Sequence, residues 1–92
     1  MIKSWAHKGL KKFFETGSKA GIQPIHAERL KELLLALDLA EEVQQLNLPG
    51  YRLHSLIGDR QNTWSLTVSD GWRITFEFHD GDAYITNYED YH

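Results

Sequence analysis

Ninety-two residues with a formal net charge of -3 and no cysteine suit one domain with a single modest core and leave no room for two independent cores. Disulfides and thiolate metal sites are excluded, and the acidic balance argues against strong nonspecific nucleic-acid binding, which depends on lysine and arginine neutralising phosphates. No run approaches the roughly 20 apolar residues of a membrane span, so a soluble, cytoplasmic protein with no membrane partner is expected.

The positive charge gathers near the amino terminus, where Lys3, Lys8, Lys11, Lys12 and Lys19 form the lysine-rich stretch of the chain. They read either as a phosphate-facing patch or as the solvated side of a helix. Ile2 to Trp5 is a candidate short strand. From His7 to Thr16, Leu10, Phe13 and Phe14 share one helical face and Lys8, Lys11, Lys12 and Glu15 another, with Gly17 placed to end the helix. Gly21 and Pro24 then interrupt the pattern. Leu30, Leu33, Leu34 and Leu37 have the spacing of a second amphipathic helix, whose apolar stripe should cover a sheet.

Asp38 and Glu41 resemble a capping box, after which Leu39, Val43 and Leu46 restart the stripe in a new phase, so a break is expected near Asp38. Asn47-Leu-Pro-Gly stops helical structure. Extended segments follow at Tyr51 to Leu56, Thr63 to Val68, Trp72 to Phe78 and Ala83 to Tyr88, the last two joined by the turn-prone His79-Asp-Gly-Asp. Helices followed by strands predict an α+β fold, a small and mainly antiparallel sheet covered on one face by two or three helices, in one domain over 1–92.

Strand parity suggests what lines the other face. Trp72, Ile74, Phe76 and Phe78 point one way, so Arg73, Thr75 and Glu77 point the other; Ser65 and Thr67 join them, as do Arg52 and His54. An imidazole moves protons near neutral pH and a guanidinium holds a phosphate, which together suit phosphate-ester chemistry. His54 alone equally fits a half-exposed strand histidine, and Arg73 a cross-strand ion pair with Glu77 or a neighbouring acid.

The chain ends in Asp90, Tyr91 and His92, directly after a paired strand. Chain ends usually fray, and an acid, a phenol and an imidazole held at such a place suggest a site. The plainer alternative has Tyr91 packed over the sheet edge with Asp90 and His92 in solvent. No HxH or HExxH spacing supports a metal centre, and no strand-turn-helix elbow surrounds a serine.

Together, His7-Lys-Gly-Leu-Lys, Tyr51-Arg-Leu-His-Ser-Leu-Ile-Gly-Asp-Arg, Trp64-Ser-Leu-Thr-Val, Trp72-Arg-Ile-Thr-Phe and the terminal Asn87-Tyr-Glu-Asp-Tyr-His resemble the HigB-type toxins of the RelE/ParE superfamily along the whole chain. The resemblance implies a RelE-like fold and a type II toxin that cleaves messenger RNA in the ribosomal decoding site. The attack would come from the RNA's own 2′-hydroxyl, with neither metal nor other cofactor. It implies His54 and His92 as acid–base residues, Arg73 as the phosphate-stabilising arginine, and Asp90 and Tyr91 as the orienting or base-contacting pair. Lys8, Lys11, Lys12 and Arg52 are the candidate contacts to RNA and ribosome. The implied partners are a cognate HigA-type helix-turn-helix antitoxin, the ribosome with its mRNA, and operator DNA reached only through the antitoxin.

One position departs from the pattern. After the histidine, the family reads Pro-Leu-Lys-Gly-Asp, whereas this chain reads Ser55-Leu56-Ile57-Gly58-Asp59. Loss of a cation near a phosphate removes charge stabilisation, so a weakened or non-enzymatic toxin, ParE-like or kept as antitoxin partner and co-repressor, is the alternative.

Overall fold

The computed structural model describes residues 1–56 and 62–91; Ile57 and His92 lie outside the described residues. Two helices, α1 (Lys8–Thr16) and α2 (Ala27–Leu39), precede four strands, β1 (His54–Ser55), β2 (Thr63–Ser69), β3 (Trp72–His79) and β4 (Asp82–Asp90). The strands pair in chain order and every pair is antiparallel. This is the expected α+β architecture.

The helices form where the apolar spacing places them. The His7 ring accepts the Leu10 N–H as N-cap of α1, and Gly17 closes the helix in the left-handed region. Leu30, Leu33, Leu34 and Leu37 of α2 are fully buried, together with Leu10 of α1 and with Leu66, Ile74 and Phe76 of the sheet. Burying each such side chain contributes roughly 1.5–3 kcal/mol. The start of α1 lies backbone to backbone on the following loop: a Cβ at Gly21 would stand 2.5 Å from Gly9 Cα. No larger residue fits either position without separating the two segments.

Three expectations are revised. The break expected near Asp38 falls just after it, where α2 ends at Leu39 and Ala40 turns extended, but Asp38 caps no helix: its carboxylate accepts the Ile2 N–H at 2.9 Å. The capping box belongs to Glu42 and Gln45, at the start of a short 3₁₀ turn over Val43–Leu46. Leu39 is largely exposed, while Leu46 is buried.

The segment from Tyr51 to Leu56 contributes only His54–Ser55 as strand. Gly50 and Arg52 both take positive φ, at 84° and 52°, which breaks the extended run and leaves a single backbone bond to β2 there, from the Thr67 N–H to the Tyr51 carbonyl at 2.9 Å. Arg29 of α2 holds that turn, donating to the carbonyls of Gly50 at 2.7 Å and Thr67 at 3.0 Å. Lastly, the amino terminus forms no full strand: Ile2 and Trp5 make isolated parallel bridges to Ala83 and Thr86. It covers the outer edge of β4.

The β3–β4 hairpin closes on Asp80-Gly81, both with positive φ, as a tight two-residue turn that matches strand twist requires. Farther along β4 the register slips: Glu77 faces Tyr84, but Thr75 faces Asn87. One extra residue is accommodated at Ile85, which sits at φ 54° with its side chain half exposed. The bulge is supported from the amino terminus, where Ser4 Oγ accepts the Ile85 N–H at 2.7 Å and the Ser4 carbonyl accepts the Thr86 N–H at 3.1 Å. It inverts the side-chain alternation, so Ala83, Thr86 and Tyr88 are buried while Asn87 and Glu89 pair with the outward residues of β3.

Candidate active site

With that register, the face away from the helices carries two rows of cross-strand neighbours. One runs His54, Ser65, Thr75, Asn87 across all four strands, and the other Thr67, Arg73, Glu89. Paired residues in an antiparallel sheet project to the same side, so the parity that put His54 and Arg73 on one surface holds. The surface is not open throughout: Ser65 and Thr75 are 1% and 2% exposed.

His54 stands at the short edge strand. Its Nδ1 lies 3.1 Å from the Arg52 carbonyl, a contact in which the ring must donate, so Nδ1 carries the proton and Nε2 is the nitrogen able to accept one. The Ser65 hydroxyl is 3.3 Å from each ring nitrogen.

Arg73 is held more tightly. The Glu89 Oε2 accepts from Arg73 Nε at 3.2 Å and Nη2 at 3.1 Å, and the Thr75 hydroxyl donates to Glu89 Oε1 at 3.4 Å. The Tyr91 ring lies over the guanidinium, 4.6 Å from its carbon to the ring centroid. Tyr91 is kept in place through its N–H, which donates to the Gly71 carbonyl at 2.8 Å. Tyr91 therefore joins Arg73 while remaining 44% exposed.

Asp90 is placed differently. It faces Trp72 across the β3–β4 pair, so its strand parity is that of Trp72 and Tyr88, not that of Arg73, and it lies at an exposed rim. Lys8, Lys11 and Lys12 are exposed on α1 and Arg52 is exposed beside β1. Lys8 and Lys11 border a shallow groove with Lys3, Ser4, Trp5 and Glu15, beside the terminal segment that edges β4.

Glu89 is the residue that sequence reasoning missed. Simple alternation along Ala83 to Asp90 would place it on the same side as buried Ala83, because the alternation hides the extra residue at Ile85. The available signal was that Arg73 needs an acid nearby, and Glu77 is not its partner; Glu77 meets His79 instead, at 3.1 Å.

A second polar cluster lies on the helix side. His26 is buried, with Nδ1 2.5 Å from the Tyr88 hydroxyl and Nε2 2.9 Å from Ser69 Oγ. Trp72 and Tyr88 both meet its ring edge-on. Burial pulls the His26 pKa below its ordinary value and pushes the Tyr88 phenol up, the latter against a hydrogen bond with the Gln23 backbone. A neutral imidazole that accepts the phenol proton at Nδ1 donates from Nε2 to Ser69, satisfying both nitrogens. Among the described residues no three His, Asp or Glu side chains converge as metal ligands would, and no helix is long and apolar enough to cross a membrane.

An imidazole and an oriented guanidinium on one face of a small helix-backed antiparallel sheet, with a tyrosine ring covering the guanidinium, point to a particular class. The chain belongs to the HigB-like toxins, the RelE-like toxins of type II toxin-antitoxin systems, a family that matches residues 3–92. Within that class it is similar to the Endoribonuclease HigB of Proteus vulgaris, with 53% identity over 92 residues that cover 100% of each chain.

Proposed function

We propose that this toxin, a single domain over its 92 residues, is an endoribonuclease that cuts messenger RNA in the ribosomal decoding site, without metal or other cofactor. The observation that carries the reading is the shared face of His54 and Arg73, with Tyr91 stacked on the guanidinium. The name of the Proteus vulgaris relative supports the activity.

The chemistry follows from the groups. A base takes the proton of the RNA 2′-hydroxyl, the O2′–P bond forms as the P–O5′ bond breaks, and the departing O5′ receives a proton from an acid. The products are a 2′,3′-cyclic phosphate and a 5′-hydroxyl. His54, with Nε2 as acceptor, and His92 share the proton transfers, while Arg73 stabilises the charge on the phosphate oxygens. Tyr91 offers a ring for an unstacked base, and Asp90 orients the terminal residues. Lys8, Lys11, Lys12 and Arg52 meet ribosomal RNA and message, where their charge offsets the chain's acidity.

The setting is the bacterial cytoplasm. A cognate HigA-type helix-turn-helix antitoxin neutralises the toxin and carries it to operator DNA. Ile57 removes the lysine of the family pattern, and the charge then rests on Arg73. The test is primer extension on messenger RNA from cells expressing the chain, its Arg73→Ala variant, and a form lacking Tyr91 and His92. Cleavage by the parent and a loss of about 10²–10³-fold in Arg73→Ala are expected for removal of one oriented donor. Growth arrest without cleavage would establish the non-enzymatic alternative instead.

A further inference from the structure

We infer that Glu89 is a positioning residue for this reaction: its carboxylate fixes the edge of the Arg73 guanidinium that meets the scissile phosphate. The inference rests on the nuclease reading and assigns a residue that the reading does not use. Arg73 and Glu89 are direct partners across β3 and β4, and one carboxylate oxygen takes both the Nε and Nη2 protons of the arginine. The second oxygen receives the Thr75 hydroxyl, which is almost fully buried and so holds the carboxylate from below. With Tyr91 over one face of the guanidinium, the Nε–Nη2 edge and one face are occupied. Nη1 has no partner among the described residues and presents the remaining edge.

The arrangement makes sense as orientation, not as affinity. A carboxylate beside a phosphate-binding arginine cancels its charge and repels the anion, so a site built for phosphate affinity would omit it. An unheld arginine side chain, however, samples many rotamers, and misplacing a reacting group by about 1 Å can cost about 10²-fold in rate. The pair is not a loose surface contact either: the Arg73 and Glu89 side chains are 19% and 20% exposed. The bulge at Ile85 is what gives Glu89 the outward parity, so an irregularity of β4 is tied to the geometry at Arg73.

Glu89→Ala and Glu89→Gln separate orientation from proton transfer. Glutamine keeps an oxygen that accepts from Arg73 and drops the charge. With purified toxin and ribosomes carrying a defined message, Glu89→Ala is expected to lower kcat by about 10–100-fold, the cost of a misplaced group, with KM little changed. Glu89→Gln is expected to restore kcat to within about fivefold of the parent, with an unaltered pH profile. Independently of activity, the Arg73 Nε–H resonance should be protected from exchange in the parent and Glu89→Gln and exposed in Glu89→Ala. Equal losses in the two variants, with a shifted acid limb, would make Glu89 a proton-transfer group and overturn the assignment. So would parental kcat, or a still-protected Arg73 resonance, in Glu89→Ala. A parent that cleaves nothing removes the nuclease reading itself, an outcome distinct from parental cleavage by Glu89→Ala.

Discussion

Tyr88→Phe removes one oxygen from the buried cluster and leaves its packing in place. The ring contacts of Tyr88 with His7, His26 and Trp72 survive the change, so the effect isolates the hydrogen bonds of the hydroxyl, to His26 and to the Gln23 backbone. His26 is 8% exposed, too buried for water to replace the lost phenol freely. Stranding a buried acceptor costs about 1–3 kcal/mol. In a domain of this size each kcal/mol moves the midpoint by about 4–8 °C, so a fall of roughly 4–24 °C is expected, read by thermal unfolding through tryptophan fluorescence. The pH dependence supplies a second arm. The His26 pKa is lowered from its ordinary 6.5 by burial, so the unfolded chain binds a proton that the folded one resists. That contribution to stability is complete above 6.5 and is lost as the pH falls from there through the lowered value. Because burial of the ring causes it, the acid-side slope should persist in Tyr88→Phe. Stability within about 0.5 kcal/mol of the parent, the usual range for a surface change, would refute the reasoning.

Ile85→Asn should stabilise the fold by about 0.5–1 kcal/mol, since a β-branched residue at positive φ costs about 1–2 kcal/mol that asparagine largely escapes, and the Ile85 side chain is 52% exposed; an unchanged or lower unfolding midpoint would contradict the strain. Tyr91→Ala should reduce cleavage by about 5–150-fold, the worth of about 1–3 kcal/mol of base stacking, while Tyr91→Phe keeps the ring over Arg73 and most of the activity in the ribosome assay. Equal loss in both would mean that the phenol hydroxyl takes part.

The helices, and with them the core, were legible in the chain because their information is local. Leu30, Leu33, Leu34 and Leu37 repeat at the helical period, and Gly17 ends the first helix wherever it packs. Asp80-Gly81 selects its own turn. Parity within uninterrupted strands was equally local, which is why His54 and Arg73 were placed together. Tyr51 to Leu56 misled because its alternation says nothing of Arg29, on a helix more than 20 positions earlier, which ties the preceding turn to β2. Asp38 looked like a cap for the same reason, its true partner being the Ile2 N–H.

By itself, then, the amino-acid order determined the two helices, the strands β2 to β4, the apolar faces of α1, α2, β2 and β3, and the candidate site residues, all consequences of spacing along one segment. Tertiary structure alone decided which way the end of β4 faces. That depends on Ser4, some 80 residues away, accepting the Ile85 N–H and accommodating one extra residue in the strand. A shift of one position turns every later side chain over. This slip puts Tyr88 beneath the sheet against His26 and Glu89 above it against Arg73, and no alternation read along β4 could have shown it.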